Sequence, residues 1–367
     1  MTPSPSSIGA RAAPVPAAAA PRDAAIDLLR GWAIVGVVAI HATGLVLPAA
    51  SYFGIGYYFR WAVPIFICAY AFYGARVPDP GSLESPRLRL RDTPAGGGLA
   101  LRSYAATVAQ RFARLALPFV AYSALYGVAL GDWREPDVLA TLWRYARGDG
   151  WAGQYFFIIL FQVVPLLARW RVPGAVVAAV FGLYTAALLA LPWAWQQWPW
   201  LPAASDRLVI YWLPYVLLGV YLRQNTARWR AALARLSPSA ALVLLLAAPL
   251  ALSATYDPDW PTGPYLLPAI ALVSAAVYGL HERALQPLAR LAALRPLAYL
   301  GRYSLVVFCL NPLFVAGLQH TALAAWARGL PLPAALAVAG AIVAGICATA
   351  SLVGGALRRS PLRGLAG

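Results

Sequence analysis

The chain has 367 residues, of which 61% are hydrophobic and only 11% charged, and its formal net charge is +16. Soluble domains carry about 25% charged residues, so this composition excludes an ordinary water-soluble protein and describes a polytopic membrane protein solvated mostly by lipid. The mean hydropathy of +0.65 agrees, and every basic residue is an arginine.

Residues 1–22, rich in Pro, Ala and Ser, are expected to form a disordered tail. Ten apolar stretches follow, at approximately 29–49, 55–75, 111–130, 151–168, 172–191, 207–222, 237–255, 263–281, 300–319 and 333–355. Each approaches the roughly 20 residues a helix needs to cross a bilayer. Pro64, Pro118, Pro165, Pro214, Pro249, Pro268 and Pro312 interrupt several of them, which packed membrane helices tolerate. The fold class is therefore predicted as all-α, a polytopic integral membrane protein with about ten transmembrane helices over residues 23–357. Residues 76–106 read as the longest loop, and 358–367 as a short basic tail. The first span is expected to remain uncleaved, because its apolar run is long and Pro48 spoils the small-residue site nearby.

Arginine placement supports the count. With the N-terminus inside, alternate loops collect Arg11, Arg22 and Arg30, then Arg76 to Arg114, and later Arg169, Arg171, Arg223 to Arg235, Arg283 to Arg302 and Arg358 to Arg363. The opposite loops hold only Arg134, Arg144, Arg147, Arg207 and Arg328, beside most of the acids. This asymmetry predicts both termini in the cytoplasm of a cell membrane. It makes the positive charge topological: the bilayer is its partner, and no nucleic acid is expected. Cys68, Cys309 and Cys347 all fall in spans and read as apolar fillers. No CxxC, HExxH, Walker A or GxGxxG pattern occurs, and no metal site is expected.

The first span, "IDLLRGWAIVGVVAIHAT" (26–43), carries ionisable groups where lipid alone would select leucine. Arg30 and His41 are eleven residues apart, about 16 Å along a helix, and eleven steps of 100° return to the same face. Asp27, three residues before Arg30, shares that face and can pair with it. Two readings of His41 are open on this helix alone: a functional imidazole, or a histidine bonded to a neighbouring helix for packing.

Five stretches resemble the acyltransferase-3 family of polytopic membrane O-acyltransferases. "DLLRGWAIVGVVAIH" is similar to the family's first helix, with its Arg, ten residues, then His. "FRWAVPIFICAYAFYG" resembles the second span, "RFAR" the R-x-x-R of Arg111 and Arg114, "GQYFFIILFQVVPLL" the fourth span and "YLGRYSLVVFCLNP" the ninth. Three places depart from the family pattern. Its Ser-Gly falls at Ala71-Phe72 or Tyr73-Gly74, its H-x-W at Gln154-Tyr155-Phe156, and its ninth-span histidine at Asn311.

The resemblance implies an acyltransferase that moves an acyl group, acetyl above all, from acyl-coenzyme A to a hydroxyl of a cell-envelope glycan or its lipid-linked precursor. No tightly bound cofactor is expected; acetyl-coenzyme A is a co-substrate. His41 would be catalytic, since neutral imidazole can take a hydroxyl proton or carry an acyl group near pH 7. Arg30, Arg111 and Arg114 would hold the donor's phosphates, which guanidinium grips bidentately, with Asp27 orienting Arg30. Without the resemblance, Arg111 and Arg114 read as anchors to anionic headgroups.

Arg60, Gln154 and Asn311 are the candidates for binding the acceptor, with Gln162 and Ser304 as further cavity residues. Arg60 also reads as a snorkelling interfacial arginine, and the glutamines as interhelical hydrogen bonders. "WAWQQWPW" (193–200) reads as an interfacial tryptophan belt, and His281 and His320 as solvated span ends. An acyltransferase tailoring a macrolide or other secondary metabolite is the alternative within the family. A transporter or flippase of glycan precursors is the alternative from another class, but the internal symmetry typical of transporters is not visible.

Overall fold

The computed structural model describes residues 23–75, 97–168, 172–198, 207–254 and 268–366. The expected tail at 1–22, loop residues 76–96 and the end of the tryptophan-rich stretch lie outside the described residues. In chain order the helices are α1 (Ala24–Ala42), α2 (Ala49–Tyr58), α3 (Ala62–Gly74), α4 (Gly97–Ala129) and α5 (Val138–Ala146). There follow α6 (Tyr155–Val163), α7 (Gly174–Gln197), α8 (Leu213–Gln224), α9 (Thr226–Leu233) and α10 (Pro238–Ala254). The last are α11 (Pro268–Leu285), α12 (Arg295–Arg302), α13 (Ser304–Gln319), α14 (Ala322–Arg328) and α15 (Leu332–Arg358). No strand occurs among the described residues, so the all-α class holds.

Five helical stretches are long and apolar enough to cross a membrane, and up to seven if each of two bent pairs counts as one span. Of the ten expected spans, those at α6, α8 and α11 fall short of that measure. Helix α6 gives way to a 3₁₀ turn over Val164–Ala168, which contains Pro165. Helix α8 has only 12 residues, and α11 closes on the polar run His281, Glu282, Arg283. The long loop is also shorter than expected: α4 already begins at Gly97, because the Ala-, Leu- and Arg-rich sequence from Leu99 onward favours helix.

Helix α1 is the axis of the bundle. Its most apolar window is 72% buried, against 17% for the equivalent window of α7. Asp23 caps it, its carboxylate accepting from the Ala25 and Ile26 amides. The helix packs on α3, α11, α12, α13 and α15. Outer helices instead turn Leu183, Val243 and Leu352 outward, as lipid-facing helices do.

The closest approach is between α1 and α12, and two glycines permit it. A methyl group on Gly31 would overlap the Leu297 carbonyl, and one on Gly301 the Asp27 carbonyl. Helix α12 meets α13 at a 78° bend, and α9 meets α10 at 101°. These two short helices, carrying Arg228, Arg230, Arg295 and Arg302, therefore lie across the bundle at the end where α1 begins. At the opposite end Asp132 accepts from Tyr145 at 2.7 Å and pairs with Arg144 at 2.8 Å. Burial opposes ionisation of Asp132, but the Tyr145 hydroxyl and the Arg144 charge outweigh it and hold the carboxyl below its usual value. Asp149 pairs there with Arg147 and Arg207. The C-terminal segment folds back on α4: Tyr122 donates to the Leu365 carbonyl at 3.4 Å, and Ala366 is buried.

Candidate active site

The polar residues of α1 sit at its two ends. At the first end Asp27 is only 2% exposed; a buried carboxylate requires a partner. Arg302, at the end of α12, supplies one through Nε at 3.3 Å. One turn on, Arg30 donates from Nη2 to the Ser304 hydroxyl at 2.8 Å, which ties α1 to the first residue of α13. Tyr73, near the end of α3, lies within electrostatic reach of Asp23, Asp27, Arg30 and Arg223. Arg302 escaped the sequence reading, although it stands inside the quoted ninth-span motif; only the bend at Tyr303 aims it at Asp27.

At the other end the structure moves one residue from its expected depth. The expected span at 29–49 puts His41 near its centre, but α1 starts at Ala24, so His41 lies in its last turn. A 3₁₀ turn over Thr43–Leu45 continues the span beyond it. The ring is half-buried, and no hydrogen bond to it occurs among the described residues. The charge of Arg60, in the turn between α2 and α3, is within electrostatic reach of the imidazole. Trp32 and Trp61 pack with ring centroids 4.5 Å apart, and Trp61 is fully buried. Arg60 thus belongs with His41, a pairing invisible in the sequence because it depends on how α2 turns into α3.

The structure separates the R-x-x-R arginines. Arg111 donates from Nη2 to the Gly74 carbonyl at 2.8 Å, satisfying the C-terminal end of α3, and its buried Nη1 has no hydrogen-bond partner among the described residues. This puts Arg111 beside Tyr73, at the same end of the bundle as Arg30. Arg114, one turn later, is exposed.

Gln154 is fully buried and committed at both ends of its amide. Its Oε1 accepts from the Gly150 amide at 2.7 Å, and its Nε2 donates to the Ser123 hydroxyl at 2.8 Å. Gln162 likewise bonds the Arg207 carbonyl and the Val209 amide. Both glutamines brace helices. Asn311 donates to the carbonyls of Val307 and Phe308 in its own helix, while its buried Oδ1 finds no partner among the described residues. His320 is exposed as expected, whereas the His281 ring bonds the Tyr278 carbonyl. No group of three or more His, Cys, Asp and Glu able to hold a metal occurs among the described residues.

A bundle that is all-helical among the described residues, with apolar helices long enough to cross a membrane and a carboxylate, a guanidinium and an imidazole on its central helix, defines the class: a helical membrane protein with ionisable groups inside its wall. The chain belongs to the acyltransferase-3 family, residues 23–352 matching its acyltransferase domain. That match begins at the cap of α1 and ends inside α15, so it takes in both ends of the candidate site. No curated protein and no solved structure matches the chain. The protein is thus a membrane acyltransferase.

Proposed function

We propose that this acyltransferase moves an acetyl group from acetyl-coenzyme A to a hydroxyl of a cell-envelope glycan or its lipid-linked precursor. In this reading it sits in the cell membrane with ten spans, both termini in the cytoplasm and the Arg30 end of α1 facing the donor. The observation that carries it is the state of His41: half-buried, unbonded among the described residues, and on the same face of α1 as Arg30. A histidine kept for packing would use its ring nitrogens on a neighbouring helix; a general base keeps one available.

The chemistry follows. The acceptor oxygen attacks the thioester carbonyl carbon while the imidazole takes its proton. The carbon–sulfur bond then breaks, and the same proton goes to the departing thiolate. Arg60 stands where it can stabilise the carbonyl oxygen as charge gathers on it. Arg30, with Arg111 and Arg114 at the same end, faces the arriving donor about 16 Å from His41 along α1. That is a separation of the kind an extended pantetheine arm covers. Asn311, whose buried Oδ1 has no partner among the described residues, and Arg60 are the acceptor-side contacts.

The test uses membranes containing the protein, acetyl-coenzyme A with an isotope-labelled acetyl group, and envelope glycan extracted from the same cells. Label should enter the glycan and return as acetate under mild alkali, as an ester must. Consumption of acetyl-coenzyme A with no label in glycan would redirect the reading to a small-molecule acceptor; no consumption at all would contradict it.

A further inference from the structure

A groove of about 410 Å³ opens between α9 and the end of α11, where the helices crossing the bundle leave a gap. Its rim presents three guanidinium groups, Arg230, Arg283 and Arg290, against a single carboxylate, Glu282. Glu282 is engaged with Arg230 at 2.6 Å. Arg283 is steadied by donation from Nε to the Leu236 carbonyl at 2.7 Å, and no bond to its terminal nitrogens occurs among the described residues. Arg290 is exposed, with no ion pair or hydrogen bond of its side chain among them. Two guanidinium groups are therefore available over one concavity, the arrangement that grips phosphate.

A second, narrower pocket, the throat, shares Arg230 and Glu282 with the groove and is lined at Asp23, the cap of α1. Its apolar and aromatic walls, Ile26, Phe72, Leu222, Trp229 and Tyr278, stand beside the polar Asp23, Thr226 and His281. Trp229 is fixed by donation from its indole nitrogen to the Gly279 carbonyl at 2.8 Å. Arg223 lies over the Phe72 ring at 5.4 Å from its centroid. Tyr73 also lines the throat and is within electrostatic reach of Arg30.

We infer that this groove and throat are the donor's path. The phosphorylated nucleotide of the acyl-coenzyme A docks on Arg283 and Arg290, and its thin uncharged arm threads the throat towards Arg30. The inference rests on the acyl-coenzyme A reading above and goes beyond it by locating the nucleotide end on α11 and the turn after it, away from Arg111 and Arg114. The match is one of shape and charge: a polyanionic head belongs in the wide basic mouth and an uncharged chain in the apolar passage. The throat now has about 30 Å³ of free space, room for a water molecule or two. Side chains such as Tyr73 must therefore part for the arm to pass.

The shared chemistry of the rim is phosphate recognition, which a lipid headgroup would also satisfy, so the experiment separates the two. Wild type, an Arg283→Gln/Arg290→Gln variant and an Arg290→Gln variant are placed in nanodiscs of zwitterionic lipid. Each is titrated calorimetrically with adenosine 3′,5′-bisphosphate, the nucleotide end alone, and with acetyl-coenzyme A. Wild type should bind both. The double variant should weaken both by about tenfold or more, given the strength of charged hydrogen bonds. The single variant, altered only at an exposed residue, should weaken both by less while keeping the fold. Thr226→Trp, which narrows the throat, should weaken acetyl-coenzyme A alone.

Unchanged nucleotide affinity in the double variant overturns the inference. So does a wild type that consumes acetyl-coenzyme A yet fails to bind the bisphosphate, a result that leaves the acetyltransferase reading standing. Displacement of the bisphosphate by phosphatidylglycerol in the nanodisc would assign the groove to lipid and overturn it too. A wild type that neither binds the nucleotide nor consumes acetyl-coenzyme A would overturn both readings together.

Discussion

The two ends of α1 are built on different principles. At the first, Asp27, Arg30, Arg302 and Ser304 are linked across α1, α12 and α13 by hydrogen bonds of 2.8 and 3.3 Å. At the second, no hydrogen bond to the His41 ring occurs among the described residues, and Arg60 stands within electrostatic reach of it. A bonded network holds charge and geometry in place; an unbonded imidazole keeps a nitrogen available for a proton. The difference teaches where rigidity is spent: the first end is shaped to receive charge, the second to react.

The comparison can be broken most severely at the α1–α12 contact. Gly31→Val puts a branched side chain into the Leu297 carbonyl, so the first end cannot assemble. Size-exclusion chromatography in detergent should show aggregate in place of a monodisperse peak. A well-behaved, active variant would mean that the two helices need not lie so close.

A smaller effect is expected from Arg30→Lys, which keeps the charge but loses the fork that reaches Ser304. The KM for acetyl-coenzyme A should rise about tenfold, as for loss of one charged hydrogen bond, with kcat little changed. A fall in kcat at constant KM would instead move Arg30 into the chemistry of the second end.

The R-x-x-R pair sharpens the contrast further. Arg111→Lys removes the bond to Gly74 as well as a guanidinium at the donor's entry, whereas Arg114 is exposed and makes only the latter contribution in the proposed scheme. Donor affinity and thermal stability should both drop in Arg111→Lys. In Arg114→Lys donor affinity alone should drop, and by less. Identical behaviour of the two would contradict their structural separation.

The smallest effect concerns the clasp at the His41 end of the bundle. Asp132 has a folded-state pKa below its ordinary 3.8, so its contribution to stability is complete above that value and fades as the pH falls through the lower one. Asp132→Asn should remove this acid dependence while leaving activity near neutral pH intact. Limited proteolysis between Gly131 and Gly150 against pH would read it.

Much of this was legible in the sequence. Composition and arginine placement fixed an all-α membrane chain, and the eleven-residue interval placed Arg30 and His41 on one face of α1. What periodicity could not give was depth, because the helix begins five residues before the apolar run suggested and so carries His41 to its last turn. Nor could it give partners made by chain reversals. Arg302 reaches Asp27 only through the bend between α12 and α13, and Arg60 approaches His41 only through the turn before α3. On sequence alone Gln154 fits a sugar ligand or a brace; in the fold its amide bonds the Gly150 amide and the Ser123 hydroxyl, as a brace does, and the signal for that is the tight Gly150 to Gly153 turn just before it.

The central claim is that the imidazole of His41 exchanges a proton during acyl transfer, and His41→Gln tests it most directly. Glutamine preserves size and hydrogen bonding but cannot take up a proton near neutral pH. Purified variant and wild type are compared with acetyl-coenzyme A and the accepting glycan, scored by release of free thiol, with acetyl-coenzyme A affinity measured alongside. The account predicts unchanged donor affinity and a rate reduced by roughly 10²–10⁴-fold, the range for a lost general base. Near-normal turnover in the glutamine variant would contradict it.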